Sequence, residues 1–441
     1  MSPWAVVVAG GVIAGYGALS RRLSTTVISA PLVFVVIGLA IGPLGLDLMS
    51  REQDPDVTRT LLESALALVL FTDSAAIRAE SLRRERFLPV RLLVVGLPAT
   101  MALGWLVAWP LMPGLGVWEL ALIAVVLAPT DAALGQQAVA DERVPGVVRH
   151  GLSVESGLND GLALPFFVLV LAAAGEGHGH PGVAETFFRA LLLSGAIGVA
   201  AGWAGASMLR RSQARGWSSA SWRQLMTLAV PVVSYALCLT ADGSGFIGAW
   251  AAGLAFGSRL RAAPRRKPPR VHTGQPAQST EFAEHLGLLL GSLSFLAFGA
   301  VILGPTLQQL TWQMVTYGLI SLTAIRMLPV AGALAGTGLR PASIAYIGWF
   351  GPRGLASLVF GLIAFEEHLP GGTLVSGVVA VTVALSILLH GATAPFLGSR
   401  YGEWFTSMVR VEPGIRENPN VDGDGDGDGD TGGTRSGRFS P

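Results

Sequence analysis

Long apolar runs dominate this chain. They last about 17 to 25 residues, the length at which a helix crosses the hydrocarbon core of a bilayer. They lack the strict alternation of barrel strands, which leaves helices as the spanning element. Thirteen spans are predicted, at 4–19, 27–46, 57–77, 88–110, 117–134, 150–174, 186–209, 222–241, 245–258, 284–303, 312–335, 342–364 and 372–398. Only Asp242–Ser244 separates the eighth from the ninth, and the ninth is short. The expected fold is an all-α polytopic membrane protein.

Composition agrees. The chain is 51% hydrophobic and 13% charged, whereas soluble domains carry about 25% charged residues. The opening MSPWAVVVAGG has no basic segment and no clear cleavage site, so it reads as a retained first span rather than a signal peptide. Cys238 is the sole cysteine, so no intrachain disulfide forms. The net charge is +1, and no nucleic-acid partner is expected.

The arginines fall in alternate loops. One set holds Arg21 and Arg22; Arg78, Arg83, Arg84 and Arg86; Arg143 and Arg149; Arg210, Arg211 and Arg215; the stretch Arg259 to Arg270; and Arg340. The opposite loops hold only Arg51. By the positive-inside rule the first set is cytoplasmic. The N-terminus is then outside and the C-terminus inside, as an odd span count requires. Residues 1–400 are expected to form the transmembrane domain, and 401–441 a short, largely disordered cytoplasmic tail with an Asp-Gly repeat. His178 and His180 fall in an outer loop, where a solvated loop is the plainer reading than metal capture.

Charge at the bilayer centre costs about 2.5–3.5 kcal/mol per residue on insertion scales, so each such residue needs a partner or a function. The set is Glu63 and Asp73 in span 3, Asp131 in span 5, Glu155 and Asp160 in span 6, Arg326 in span 11 and Arg353 in span 12. Asp141, Glu142, Glu366 and Glu367 are assigned to loops.

Span 5 contains Pro129, Thr130 and Asp131 in succession. Proline removes a helix hydrogen bond and frees carbonyls one turn earlier. Freed carbonyls, a hydroxyl and a carboxylate together make a hard-oxygen site suited to Na+. Span 6 reads ESGLNDG. Helix spacing stacks Glu155 on Asn159 and Ser156 on Asp160, with the two pairs about 100° apart around the axis. Ser156 and Asp160 make an ion-ligating face. Glu155 and Asn159 make a face that needs a cation. Arg326 and Arg353 are both available to Glu155; neither deprotonates, so each needs a permanent partner, and Arg326 is favoured. Gly351, Pro352 and Gly354 interrupt span 12 as Pro129 interrupts span 5. Oppositely oriented broken helices are the mark of an inverted-repeat transporter. Asp131 and Arg353 are placed to compensate the half-helix dipoles. Asp73 either lines an inner funnel or pairs with Arg78 or Arg83.

The PTD of span 5, ESGLND of span 6, mid-span arginine of span 11 and GPRG of span 12 resemble the NhaP-type Na+/H+ antiporters of the cation/proton antiporter superfamily, relatives of the eukaryotic sodium/proton exchangers. The resemblance covers roughly residues 4–400. It implies a homodimer in the cell's inner membrane, with a six-helix core and a separate interface domain. It implies an ion site of Thr130, Ser156 and Asp160 with Asp131 close by, and a Glu155–Arg326 bridge steadied by Asn159. Asp73 is similar to an acidic residue the family carries in its third span. The Asn159–Asp160 pair is similar to the electroneutral branch, which implies one cation per proton. No cofactor is expected beyond the transported Na+ and H+. The mechanism expected is competition of Na+ and H+ for Asp160, with alternating access. Rival readings are K+/H+ exchange, an ion channel, and an intramembrane hydrolase using paired acids. The broken helices argue against a channel; against a hydrolase, the Pro-Thr-Asp site beside Glu and Arg reads as ion coordination, and no Ser–His or His/Cys metal set lies in the spans, where His390 is alone.

Overall fold

The computed structural model describes residues 3–23, 26–49, 55–77, 87–175, 183–262, 277–412 and 414–418. Arg51, the Arg78–Arg86 loop, His178 and His180, the Pro- and Arg-rich stretch after residue 262 and the Asp-Gly tail lie outside the described residues. Among those described there are helices and connecting loops, and no strand. In chain order they are α1 (Pro3–Leu23), α2 (Ala30–Ile41), α3 (Pro55–Ala76), α4 (Phe87–Leu111), α5 (Val117–Val126), α6 (Ala132–Ala140), α7 (Gly146–Gly175) and α8 (Val183–Ala214). There follow α9 (Ala220–Thr240), α10 (Gly245–Arg261), α11 (Ala277–Ala297, running on to Gln308), α12 (Trp312–Ala333), α13 (Pro341–Trp349), α14 (Leu355–Glu366) and α15 (Gly372–Val411).

Eight of the described helices are long and apolar enough to cross a membrane, and Ala30–Ile41, Val117–Val126 and Leu355–Glu366 are shorter apolar helices. Spans 5 and 12 each resolve into two half-helices, α5/α6 and α13/α14. The short link between spans 8 and 9 is real: Asp242 takes a left-handed φ of 54° to turn the chain. Ser244 then caps α10 through Ile247 N–H at 3.4 Å. Other ends differ from the sequence reading. α2 covers only Ala30–Ile41 of the predicted 27–46, because Gly42 and the turn around Asp47 end it. α4 and α11 each contain a π-helical stretch, Leu92–Gly96 and Phe298–Leu303; apolar periodicity carries no signal for an inserted residue.

The boundary expected at residue 400 falls inside α15, which continues to Val411. Tyr401 and Gly402 are buried there, and a Cβ on Gly402 would stand 2.4 Å from Arg143 Cβ. The last turns of α15 therefore pack on the α6–α7 loop, and beyond them Ile415 and Glu417 are buried.

Contacts divide the helices into two sets. One contains α2, α3 and α8 to α11. The other contains α4 to α7 and α12 to α15, the helices of spans 4–6 and 11–13. Each half of the second set has the same order: long helix, broken helix, long helix. α7 lies at the boundary and touches α3, α8 and α10. Phe167 of α7 stacks on Phe360 of α14 at 4.5 Å. Large apolar side chains on α8 and α9, among them Leu192, Trp203, Trp222 and Val232, face outward, as they do where lipid rather than water is the solvent.

Candidate functional site

The two breaks meet. Asp131 N–H donates to Pro352 O at 2.8 Å, which joins the irregular backbone of one broken helix to the other. α5 ends at Val126 because Pro129 brings no N–H to the ladder. The carbonyls so freed do not stay free. Ser357 Oγ donates to Val126 O at 2.8 Å. Arg353 Nη1 donates to Ala128 O and, at 2.9 Å, to Pro129 O. Ser156 Oγ donates to Thr130 O at 2.7 Å. The freed carbonyls expected to serve as cation ligands are thus already engaged by protein donors.

Charge is matched to the half-helix ends. The Arg353 guanidinium lies on the carbonyl end of α5. Asp131 Oδ1 caps its own helix, α6, through Leu134 N–H at 2.9 Å. Its Oδ2 caps α14 through Leu355 N–H at 2.8 Å. One carboxylate thereby serves two helix N-termini, each interaction contributing about 0.3–1 kcal/mol, and up to ~2 when buried. With both oxygens on backbone N–H groups, Asp131 is a poorer candidate ligand than Asp160.

The glycines of GPRG make this approach possible. A Cβ on Gly351 would stand 2.4 Å from Arg326 Nε, and one on Gly354 would stand 2.1 Å from Asp131 Oδ2. Gly354→Ala therefore has to expel the Asp131 carboxylate from the α14 N-terminus. The expected cost is about 1–3 kcal/mol, read as a lower melting temperature in detergent. Gly157→Ala is the control, because its Cβ would meet nothing nearer than 3.7 Å. Equal melting of the two variants would refute the assignment.

α7 presents Glu155, Ser156, Asn159 and Asp160 inward, and all four are buried. Glu155 pairs with Arg326 of α12 through two hydrogen bonds, Nη1 to Oε1 at 2.5 Å and Nη2 to Oε2 at 2.8 Å. Both side chains are at most 3% exposed. Arg326 follows a break in α12 at Thr323, where ψ is −93°. Asn159 makes no hydrogen bond to this pair. Its Nδ2 donates to Thr130 Oγ1 at 2.6 Å, so it holds the broken helix instead. Helix spacing identified the face Asn159 shares with Glu155, but not the neighbour across it.

Asp160 differs from Glu155 and Asp131, whose carboxylate oxygens are all engaged. Its Oδ1 is buried and accepts no hydrogen bond, and Asn159 Oδ1 is likewise without a donor. Ser156 is one turn away on the same face, and through Ser156 and Asn159 the helix holds Thr130. Asp73 of α3 packs opposite Gly157, whose Cβ would lie 3.7 Å from Asp73 Cβ. Asp73 is within electrostatic reach of Asp131 and Asp160. Glu63 belongs elsewhere: it pairs with Arg59 at 2.7 Å and accepts from Tyr235 Oη at 3.0 Å. Glu366, assigned to a loop, is the last residue of α14 and pairs with the same Arg59 at 2.9 Å.

Sequence reasoning missed the neutral residues behind the site. Ser386 Oγ accepts from Arg353 N–H at 2.7 Å. His390, one turn on, lies 2.9 Å from Trp349 O through Nε2, at the end of α13. Trp250 covers Gly161, where a Cβ would stand 2.1 Å from Nε1.

Comparison with known proteins gives consistent results. The family described as sodium/hydrogen exchanger, transmembrane, matches residues 8–400. The chain is 26% identical over 378 residues to the K(+)/H(+) antiporter NhaP of Alkalimonas amylolytica, covering 85% of this chain and 62% of that protein. It is 31% identical over 144 residues to a Na(+)/H(+) antiporter of Saccharomyces cerevisiae, covering 30% of this chain and 14% of that one. The chain thus spans less than two thirds of the length of these curated relatives. The structure of the sodium proton antiporter MjNhaP1 from Methanocaldococcus jannaschii at pH 8 superposes with a TM-score of 0.75 at 18% identity, covering 90% of this chain and 99% of that one.

Proposed function

The chain belongs to the transmembrane sodium/hydrogen exchanger family, and from that premise we propose that it exchanges Na+ for H+, one for one, with Asp160 as the shared carrier. The observation that carries this reading is the unpartnered Oδ1 of Asp160. Around it, Glu155 is committed to Arg326, Asp131 to two helix N-termini, and Arg353 to the α5 carbonyls. A buried carboxylate with an unused oxygen takes up either a proton or a cation, and not both. Thr130, Ser156 and Asn159 Oδ1 supply the neutral oxygens expected of a hard-cation site. The uncompensated anion is too costly to carry across the hydrophobic barrier, so only the neutralised core moves. The repeated long–broken–long order of the two units, oppositely oriented by the arginine distribution of the loops, supports rocking of that core against the other helices.

Asp73, half-buried on α3 and facing α7, is proposed to draw cations toward Asp160. The Arg-rich loops support a multi-pass orientation in the cell's inner membrane, N-terminus outside and C-terminus inside. A homodimer is proposed; α1, which packs on α2 and whose Trp4, Val6, Val7 and Leu19 are exposed, leaves a face for it. K+ is the second reading, favoured by the name of the Alkalimonas relative.

Proteoliposomes loaded with a pH-sensitive dye and holding an acid interior test both. Added Na+ or Li+ is expected to collapse the proton gradient. A K+ response exceeding that of Na+ would select the second reading. Cation flux indifferent to an opposing proton gradient would defeat exchange altogether.

A further inference from the structure

Glu417 lies beyond the last membrane helix, yet it is fully buried. Its Oε1 accepts from Arg340 N–H at 2.8 Å and from Ser343 Oγ at 2.5 Å. Those two residues are the N-cap and third position of α13, the half-helix that leads into the Gly351–Gly354 break.

α13 cannot cap itself. Its N-cap residue, Arg340, makes no side-chain cap hydrogen bond, and its first residue is Pro341, which has no N–H. In a capping box a glutamate at the third position reaches back to the N-cap N–H. Here that position is Ser343, and Glu417 takes the glutamate's part from the far end of the chain. A carboxylate also suits the positive end of a helix. A helix as short as α13 is marginal by itself, so its placement depends on what holds its ends.

The surroundings fix Glu417 firmly. Ile415 is buried. The Arg416 guanidinium lies over the Phe87 ring at 4.6 Å, and Arg340 pairs with Glu412. Tyr401 Oη donates to Ser343 Oγ at 2.8 Å. Tyr401 stacks on Tyr346 at 4.4 Å, and Tyr346 Oη donates to Ala138 O of α6 at 2.7 Å. The cap thus touches both broken helices. At the other end of α13, Pro352 and Arg353 make the crossing with Asp131 and the α5 carbonyls.

We propose that Glu417 is a positioning residue for ion exchange: it caps α13 from beyond the last membrane helix and so sets the half-helix that carries the crossing. This rests on the reading of Asp160 as the ion site. Loosening α13 loosens the cradle around that site, so the effect falls on cation affinity.

The test is Na+-driven proton movement in proteoliposomes with the full chain. Glu417→Ala is expected to raise the apparent KM for Na+ about five-fold, the ratio equivalent to one lost helix cap. Glu417→Gln keeps an acceptor oxygen and is expected to stay near wild type. Ser343→Ala, a milder change, is expected to raise KM in the same direction. A fall in Vmax alone, with KM unchanged in Glu417→Ala, would overturn the proposal. If that variant does not fold, an unchanged KM in Ser343→Ala overturns it. Amide hydrogen exchange over 342–349 separates this proposal from the ion-site reading. If wild-type protein shows no exchange of ions, the ion-site reading fails. Faster amide exchange in Glu417→Ala or Ser343→Ala then still supports the cap, and unchanged protection refutes it.

Discussion

Asp160→Asn brings Na+-driven proton release down to the level of empty vesicles while leaving the protein folded. The reason lies in what Asp160 does not do. Its Oδ1 accepts no hydrogen bond, so the near-isosteric amide disturbs little, and stability should move by no more than about 1 kcal/mol. What disappears is the site's ability to hold a proton in one half of the cycle and a cation in the other. Asp131→Asn is the informative contrast. Asparagine has one acceptor oxygen where the carboxylate uses two, so α6 or α14 loses its cap. The expected result is a lower melting temperature with exchange reduced rather than abolished. Vesicle exchange measured beside detergent melting curves separates the two patterns. Wild-type exchange in Asp160→Asn with none in Asp131→Asn would transfer the carrier role to Asp131.

Much of this site was legible from cost. A carboxylate or guanidinium in an apolar span needs an explanation, and that cost singles out Glu155, Asp160, Arg326, Arg353, Asp131 and Asp73, along with Glu63, which pairs elsewhere. Arg326, mid-span, was favoured for Glu155, and the two do pair. The broken helices were legible because Pro129 and GPRG interrupt long apolar runs. The neutral partners were not. A serine in a helix commonly bonds its own i−4 carbonyl, so nothing in the sequence marks Ser357 or Ser386 as reaching another helix. Asn159 shows a related limit: spacing defines a face, and only packing defines what the face meets. The engaged carbonyls of Val126, Ala128, Pro129 and Thr130 were illegible for the same reason, since their donors are Ser156 of α7, Ser357 of α14 and Arg353. Glu417 was hidden by the polar, glycine-rich stretch that follows it, which made the whole segment after residue 400 read as a tail.

The second large effect is expected at the Glu155–Arg326 pair. Arg326→Ala strands a buried carboxylate, and Glu155→Ala strands a guanidinium that cannot shed its proton. Breaking one partner of a buried pair costs about 3–5 kcal/mol, enough to leave a marginally stable protein largely unfolded. Replacing both partners with apolar groups of similar volume is often neutral or stabilising. Glu155→Leu combined with Arg326→Met should therefore recover most of the melting temperature. Gly351 helps, because its missing Cβ leaves room beside residue 326. Exchange by the double variant then decides what the pair is for. If Glu155 only locks α7 to α12, a folded double variant carries Na+ against H+ at a substantial fraction of the wild-type rate, with the apparent affinity for Na+ little changed. A folded double variant that does not exchange would mean that the charges themselves shape the field at Asp160, and the scaffold role would be wrong. The pair is close enough to the crossing for that to be a real contest: Arg353 interacts electrostatically with Arg326, Glu155 and Asp160 alike. Geometry favours the scaffold role, since both oxygens of Glu155 are bonded to Arg326.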